Sequence, residues 1–375
     1  MKKTIQLNVS LDLGASSSKG MYSLHSKNNP EVNTVNSIAM EPEIVEVPIS
    51  LLKERLKCDA KPENVAWISY RAKDEEAVMV GTLAKKYVLK GNCIENVKYE
   101  SATDKCLALI GAIAVKHELL EIPESKLEIC LNLLIPSDEK HSKKILEKNL
   151  RNSLKRFYFQ ERAISCKLMA FSLFVEGTGG LLHFIGQNQS YDEKTIVVLM
   201  LGHRNCSCLI LKKGDFIHDS VRLGYFDYVQ SIKERSIGQK IEDLEYAMPQ
   251  IDRDPDNSEF WINSLIRGNI SANQEEERNR LISAIEVAKK LHWKKVSNWL
   301  DAKIPRRLDK MLVLGGASLS FKEELSKEFS WIEKINWGED IVAELEKFGV
   351  EKSMVDRFAD VFSLHKQHFT LEIEN

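Results

Sequence analysis

The sequence predicts an α/β protein made of two like domains, each a small sheet followed by helices. Two observations carry this prediction. Residues 5–13 place apolar side chains at every second position (Ile5, Leu7, Val9, Leu11, Leu13), the pattern of a strand with one buried face, and run into the Gly/Ser-rich turn Gly14-Ala15-Ser16-Ser17-Ser18. From Thr195 the same plan returns, with an apolar run to Gly202, a polar turn, two more strands and then helices. The two halves share this order of elements but few residues, so the duplication rests on pattern alone. A chain of 375 residues is long enough for two to three domains of ordinary size. The expected domains are 1–175 together with 350–375, and 176–349.

Composition narrows the class. A hydrophobic share of 43% with 29% charged residues is that of a soluble globular protein with ample core. Lys+Arg 53 against Asp+Glu 55 leaves a formal net charge of −2, which argues against a basic surface built for direct nucleic-acid contact. Met1-Lys2-Lys3 leads into alternating residues and not into an apolar signal core. No stretch approaches membrane-spanning length, so a cytoplasmic location is expected. Seven cysteines, an odd number set mostly in apolar runs, read as buried reduced thiols. Cys206 and Cys208 form the one close pair, with no second pair to complete a zinc site.

The elements follow in order. After the first loop a strand returns over 21–24, and a third strand is expected over 32–39, after the turn Asn28-Asn29-Pro30. The irregular stretch 41–63 carries Pro42, Pro48 and Pro62, and short strands follow at 65–70 and 77–80. An apolar helix is expected over 101–120, a buried strand over 127–135 and a charged, solvent-facing helix over 139–155. The strand 167–175 ends at Glu176-Gly177-Thr178-Gly179-Gly180, ahead of a short helix. In the second half, strands are expected over 195–202, 206–211 and 216–222, then helices over 224–235 and 237–248. An Asp-rich linker is read at 249–257 and a long amphipathic helix at 274–300. His292, beside its stripe, reads as a packed or surface residue. The strand 311–314 runs into Gly315-Gly316-Ala317-Ser318, and closing helices are expected over 341–348 and 352–365.

The first loop has the chemistry of a phosphate site. Gly14 lets the backbone approach an anion closely, the N–H groups and hydroxyls of Ser16, Ser17 and Ser18 are donors, and Lys19 is a compact positive charge. Asp12 is suited to holding Mg²⁺ and not to touching phosphate. Taken alone, the stretch also reads as a polar hairpin without a ligand, since it is neither a Walker A loop nor the Rossmann glycine fingerprint. Four strand-ending features, the Asp12–Lys19 loop, Glu176, the Gly202 turn and the Gly315-Gly316 turn, stand where ligands collect in open α/β sheets.

With these motifs in order, the chain resembles the actin-like ATPases, in particular the bacterial ParM/StbA plasmid-segregation branch. Asp12-Leu-Gly14-Ala-Ser16-Ser-Ser-Lys19 resembles the first phosphate loop and Val175-Glu176-Gly177-Thr-Gly179 the first connecting segment. Leu201-Gly202-His203-Arg204-Asn205 resembles the second phosphate loop, and Leu314-Gly315-Gly316-Ala317-Ser318 the adenosine turn. The resemblance implies a duplicated, ribonuclease H-like, two-domain actin fold with ATP (or another purine triphosphate) and Mg²⁺ in the interdomain cleft. It further implies head-to-tail filaments and a DNA-binding adaptor as partner. Carried over, Asp12 is the metal-side carboxylate, Lys19 a phosphate contact, and Ser16 and Ser17 donors to the phosphates. Glu176 is the water-orienting residue, and Gly315, Gly316 and Ala317 pass the adenosine.

One departure matters. Where the second phosphate loop ordinarily opens with Asp, this chain has Met200, and His203-Arg204-Asn205 replaces the usual small residues. A thioether does not order water around a hard cation. Metal binding is therefore expected to rest on Asp12, with Arg204 and His203 bringing charge to the terminal phosphate and hydrolysis slow. The competing readings are a small-molecule kinase of the same superfamily and a filament-forming nucleotide binder with little hydrolysis. A chaperone-type ATPase is disfavoured, because the expected core consumes the chain's whole length.

Overall fold

The computed structural model describes residues 4–26, 35–53, 60–88, 97–120, 127–186, 193–268, 270–348 and 350–370. The expected turn at 28–30, part of the 32–39 strand, Cys58 and Cys93 lie outside them. The chain divides into two compact units, Met1–Gln187 with Asp340–Asn375, and Asn188–Glu339.

The first unit is built on a five-stranded sheet in the order Lys167–Val175, Leu127–Ile135, Ile5–Leu13, Ser18–Ser26, Val35–Met40. Ile5–Leu13 pairs antiparallel with Ser18–Ser26 and parallel with Leu127–Ile135, which in turn lies parallel to Lys167–Val175. The alternation read from the sequence holds: Leu7, Val9, Leu11 and Leu13 are buried in one cluster with the helix Lys98–Lys116. The polar face is buried as well, because the helix Val355–Thr370 lies over the strands Ile5–Leu13 and Ser18–Ser26. There Ser10 Oγ meets His365 Nδ1 at 3.2 Å, and Asn132 Nδ2 donates to the same hydroxyl. Both faces of a partly parallel sheet are thus covered.

Lys98–Lys116 begins three residues before the expected start. Its first turn is fixed by Glu139, whose Oε2 accepts the Tyr99 N–H at 2.9 Å, a carboxylate where the helix dipole favours one. It ends where Glu118 turns to a positive φ of 55°. A second sheet of this unit, ordered Ile44–Pro48, Glu76–Val80, Trp67–Ser69, Phe157–Phe159, Arg162–Ile164, gathers short strands that the sequence left partly unassigned. The helix Thr178–Gly186 packs on Val355–Thr370 so closely that a Cβ on Gly179 would stand 1.9 Å from the Asp360 carbonyl oxygen. This packing carries residues 176–187 with the first unit, whereas the expected boundary fell at 175.

The second unit repeats the first sheet's plan. Its strands run Asp215–Val221, Cys206–Lys212, Thr195–Leu201, Lys310–Leu314, Ile335–Asn336, an antiparallel meander on one side and parallel neighbours on the other. Equal strand order and equal pairing senses give the duplication a topological basis that residue identity lacks. The long helix spans Ser271–Lys303, and His292 packs against Tyr228 and Phe321, buried and neutral, its pKa lowered to about 4 by burial and by Lys295. The expected linker at 249–257 is instead structured. The helix Ile241–Arg253 continues through Pro249, followed by a short 3-10 turn and the helix Ser258–Ser264. Among the described residues, Cys106, Cys130, Cys166, Cys206 and Cys208 form no disulfide, and no helix is long and apolar enough to cross a membrane.

The backbone-to-backbone approach at Gly179 makes a direct stability prediction. Gly179→Ala forces the two helices apart and is expected to cost about 3 kcal/mol of unfolding free energy, read as a lower urea midpoint. An unchanged midpoint would show that the helix pair tolerates separation.

Candidate functional site

In the first unit, the site grows from the ends of the two strands that flank Leu127–Ile135 and run parallel to it. Ile5–Leu13 delivers Asp12 and Lys167–Val175 leads into Glu176, whose backbone N–H donates to Ile135 O at 3.0 Å. Asp12 and Lys19 are register partners across the hairpin, so their side chains share a face. Lys19 Nζ donates to Asp12 Oδ2 at 2.6 Å. Lys98 Nζ donates to Asp12 Oδ1 at 3.0 Å and also to Glu176 Oε1. The result is a continuous chain of ion pairs, Lys19–Asp12–Lys98–Glu176, with all four side chains largely buried. Burial opposes the charge on Asp12, but Lys19 and Lys98 prevail and hold its carboxyl far below the usual carboxylate range.

The loop between these groups is tight. A Cβ on Gly14 would fall 2.9 Å from Ser17 O and 3.4 Å from Lys19 Nζ. Ser17 Oγ donates to Met40 O at 3.4 Å. Ser18 Oγ is buried without a hydrogen-bond partner among the described residues.

In the second unit, Gly202-His203-Arg204-Asn205 is a short turn closed by Gly202 N–H donating to Asn205 O at 2.9 Å. Gly202 O and His203 O accept the Tyr225 and Phe226 N–H groups, which seats the helix Tyr225–Arg235 on the turn. His203 Nε2 lies 3.0 Å from Glu245 Oε1 and its ring sits edge-on to Phe226, which draws it into local packing. Arg204 and Asn205 are buried. The Gly315 turn lies beside this one. Gly315 has φ 101°, a Cβ on it would stand 2.4 Å from Leu201 O, and Ala317 N–H donates to that same oxygen at 3.1 Å. Gly315 is therefore required twice, for its left-handed backbone and for the close approach.

The predicted residues thus assemble into two clusters, Asp12, Gly14, Ser16, Ser17, Lys19 and Glu176 in one unit, and 202–205 with 315–317 in the other. Sequence reasoning missed Lys98, Glu139 and Asp360. Lys98 stood outside the expected helix, and a lysine ahead of an apolar run carries no motif.

The cradle at Gly14 and two buried ammonium groups fit a polyphosphate. They fit a protein-held Mg²⁺ less well. Both oxygens of Asp12 already accept from lysine, and no group of three or more His, Cys, Asp or Glu side chains able to hold a metal occurs among the described residues. Met200, at the second loop, supplies no hard ligand.

Solved structures of the actin-like fold match almost the whole chain. A ParM filament from Clostridium botulinum, 15-stranded, matches at 14% identity and TM-score 0.60, covering 96% of this chain and 99% of that one. The actin-like protein Alp7A matches at 13% and 0.58, over 99% and 98%. The archaeal actin homologue Ta0583 matches at 13% and 0.54, over 98% and 99%. No family model and no curated protein sequence matches. The chain has the two-domain actin-like fold.

Asp360 ties the Glu176 segment in place. Its carboxylate accepts the Gly177 N–H at 2.7 Å and the Gly180 N–H at 3.1 Å. Burial pushes its pKa up to about 7 despite these two donors, and the charges of Asp12 and Glu176 add to the rise. A carboxyl whose pKa is raised by folding holds its proton more tightly in the folded chain. Its contribution to stability therefore falls as pH rises from the ordinary carboxylate range to about 7, and levels off above. Compared with Asp360→Asn, the wild-type melting temperature is expected to decline progressively over that window. A difference between the two that is constant with pH would assign Asp360 an ordinary pKa.

Proposed function

We propose that this chain is an actin-like cytoskeletal ATPase that binds a purine nucleoside triphosphate, ATP first among them, and polymerises head to tail. The polymer's stability follows the nucleotide state. Its service is plasmid DNA segregation through a DNA-binding adaptor, or support of cell shape, in the cytoplasm. The observation that supports this reading is that the two loops expected to bind phosphate, 12–19 and 202–205, stand at corresponding turns of two sheets with one topology.

In this reading Lys19 and the N–H groups of the 14–18 loop bind phosphate oxygens. Glu176, oriented through Lys98 and through the Asp360 clamp on Gly177, holds the water that attacks the terminal phosphorus. Arg204 offers charge to the terminal phosphate from the second loop, and Gly202 and Asn205 shape that loop. His203, held by Glu245, positions the loop and does not bind. Gly315, Gly316 and Ala317 pass the nucleoside. The resemblance also implies Mg²⁺, which in solution accompanies the triphosphate and offsets its charge.

Purified protein given ATP should sediment and show filaments by electron microscopy. A protein that stays soluble and phosphorylates a sugar would favour the kinase. Lys19→Ala is expected to weaken nucleotide binding by about tenfold or more, read by fluorescent-nucleotide titration. Glu176→Gln should slow phosphate release by about a hundredfold with affinity little changed. Arg204→Ala should slow it too, and equal rates would remove Arg204 from the site.

A further inference from the structure

We propose that Lys98 is the resident cation of the phosphate site, its ammonium standing between Asp12 and Glu176 where a divalent ion would otherwise bridge them, so that nucleotide binding here depends little on Mg²⁺. The inference rests on the nucleotide reading above and adds to it the ionic form in which the nucleotide is taken.

Three observations converge. Lys98 Nζ reaches Asp12 Oδ1 at 3.0 Å and Glu176 Oε1 in the same arrangement, while Lys19 takes Asp12 Oδ2 at 2.6 Å. Each Asp12 oxygen is thus already matched by an ammonium, and a metal bound there must displace one. Lys98 is also fixed in place. It opens the helix Lys98–Lys116, whose first turn is pinned by Glu139 accepting the Tyr99 N–H, and its side chain is 9% exposed. Finally, no group of three or more His, Cys, Asp or Glu side chains able to hold a metal occurs among the described residues. Lys19 and Lys98 balance Asp12 and Glu176 within the first unit. A polyphosphate at this site shares the two largely buried ammonium groups with Asp12 and Glu176, through charge-assisted contacts that strengthen where water is excluded.

The test is a titration of the full-length chain with a fluorescent ATP analogue, in excess Mg²⁺ and in excess EDTA. Wild-type affinity is expected to differ by less than about threefold between the two conditions. Lys98→Met should lose about thirtyfold or more in EDTA and recover part of it in Mg²⁺, since its removal leaves Asp12 and Glu176 open to the ion. Lys98→Arg should behave as wild type. Circular dichroism confirms folding of each variant, and should Lys98→Met fail to fold, the wild-type comparison and Lys98→Gln decide. Wild-type binding that survives in Mg²⁺ and falls more than about tenfold in EDTA overturns the role of Lys98 alone. So does a Lys98→Met affinity equal to wild type in EDTA. No wild-type binding in either condition overturns the nucleotide reading itself, and this proposal with it.

Discussion

The arrangement of the first unit depends on one buried electrostatic chain, Lys19–Asp12–Lys98–Glu176. Charges removed from water are costly, and the cost is recovered only when every one is paired at short range. Here, among the described residues, two cations alternate with two anions, and Lys19 and Lys98 hold Asp12 ionised. Loss of any one member leaves a buried charge unmatched, a change of about 3–5 kcal/mol in comparable buried pairs. That constraint explains several features at once. The hairpin must register Asp12 opposite Lys19, the helix must begin at residue 98, and the strand Lys167–Val175 must stop where Glu176 meets the same ammonium.

Much of this fold was legible in the sequence because its central strands are long. Nine residues of alternation in Ile5–Leu13 and a continuous apolar run in Thr195–Leu201 leave little choice of structure. The glycines stood out for a different reason: Gly315, in a turn, and Gly179, in the helix Thr178–Gly186, sit where any side chain would strike backbone. Illegible were the three-residue strands Phe157–Phe159 and Arg162–Ile164, too short to show a period, whereas Trp67–Ser69 falls inside the strand expected over 65–70. Pro249 misled in the other direction. Proline ordinarily breaks a helix, yet Ile241–Arg253 continues through it with Leu244, Ala247 and Met248 buried, packing having outweighed propensity.

The site divides in the same way. Asp12, Lys19 and Glu176 announced themselves at strand ends beside glycine, whereas Lys98 lies 86 positions from Asp12 and Asp360 lies 183 from Gly177. Partners so distant carry no local signal, and a single sequence has no means of joining them. The two sheets, alike in topology, have also parted in chemistry. One turn is organised by opposed charges, and the other by backbone hydrogen bonds to the helix Tyr225–Arg235 and by the His203–Glu245 contact.

The first unit is interrupted in sequence by the second, and among the described residues its polar sheet face is covered by Val355–Thr370. On the ribosome this order has a kinetic meaning. Asn8, Ser10 and Asp12 emerge early but wait for the closing helix until the whole intervening unit has been translated. The inserted unit, contiguous over Asn188–Glu339, has all its own strands in hand before that moment. Vectorial synthesis therefore favours maturation of the middle of the chain ahead of its beginning, with Met21 and Phe174, beside Asn8 and Ser10, left uncovered until the closing helix arrives.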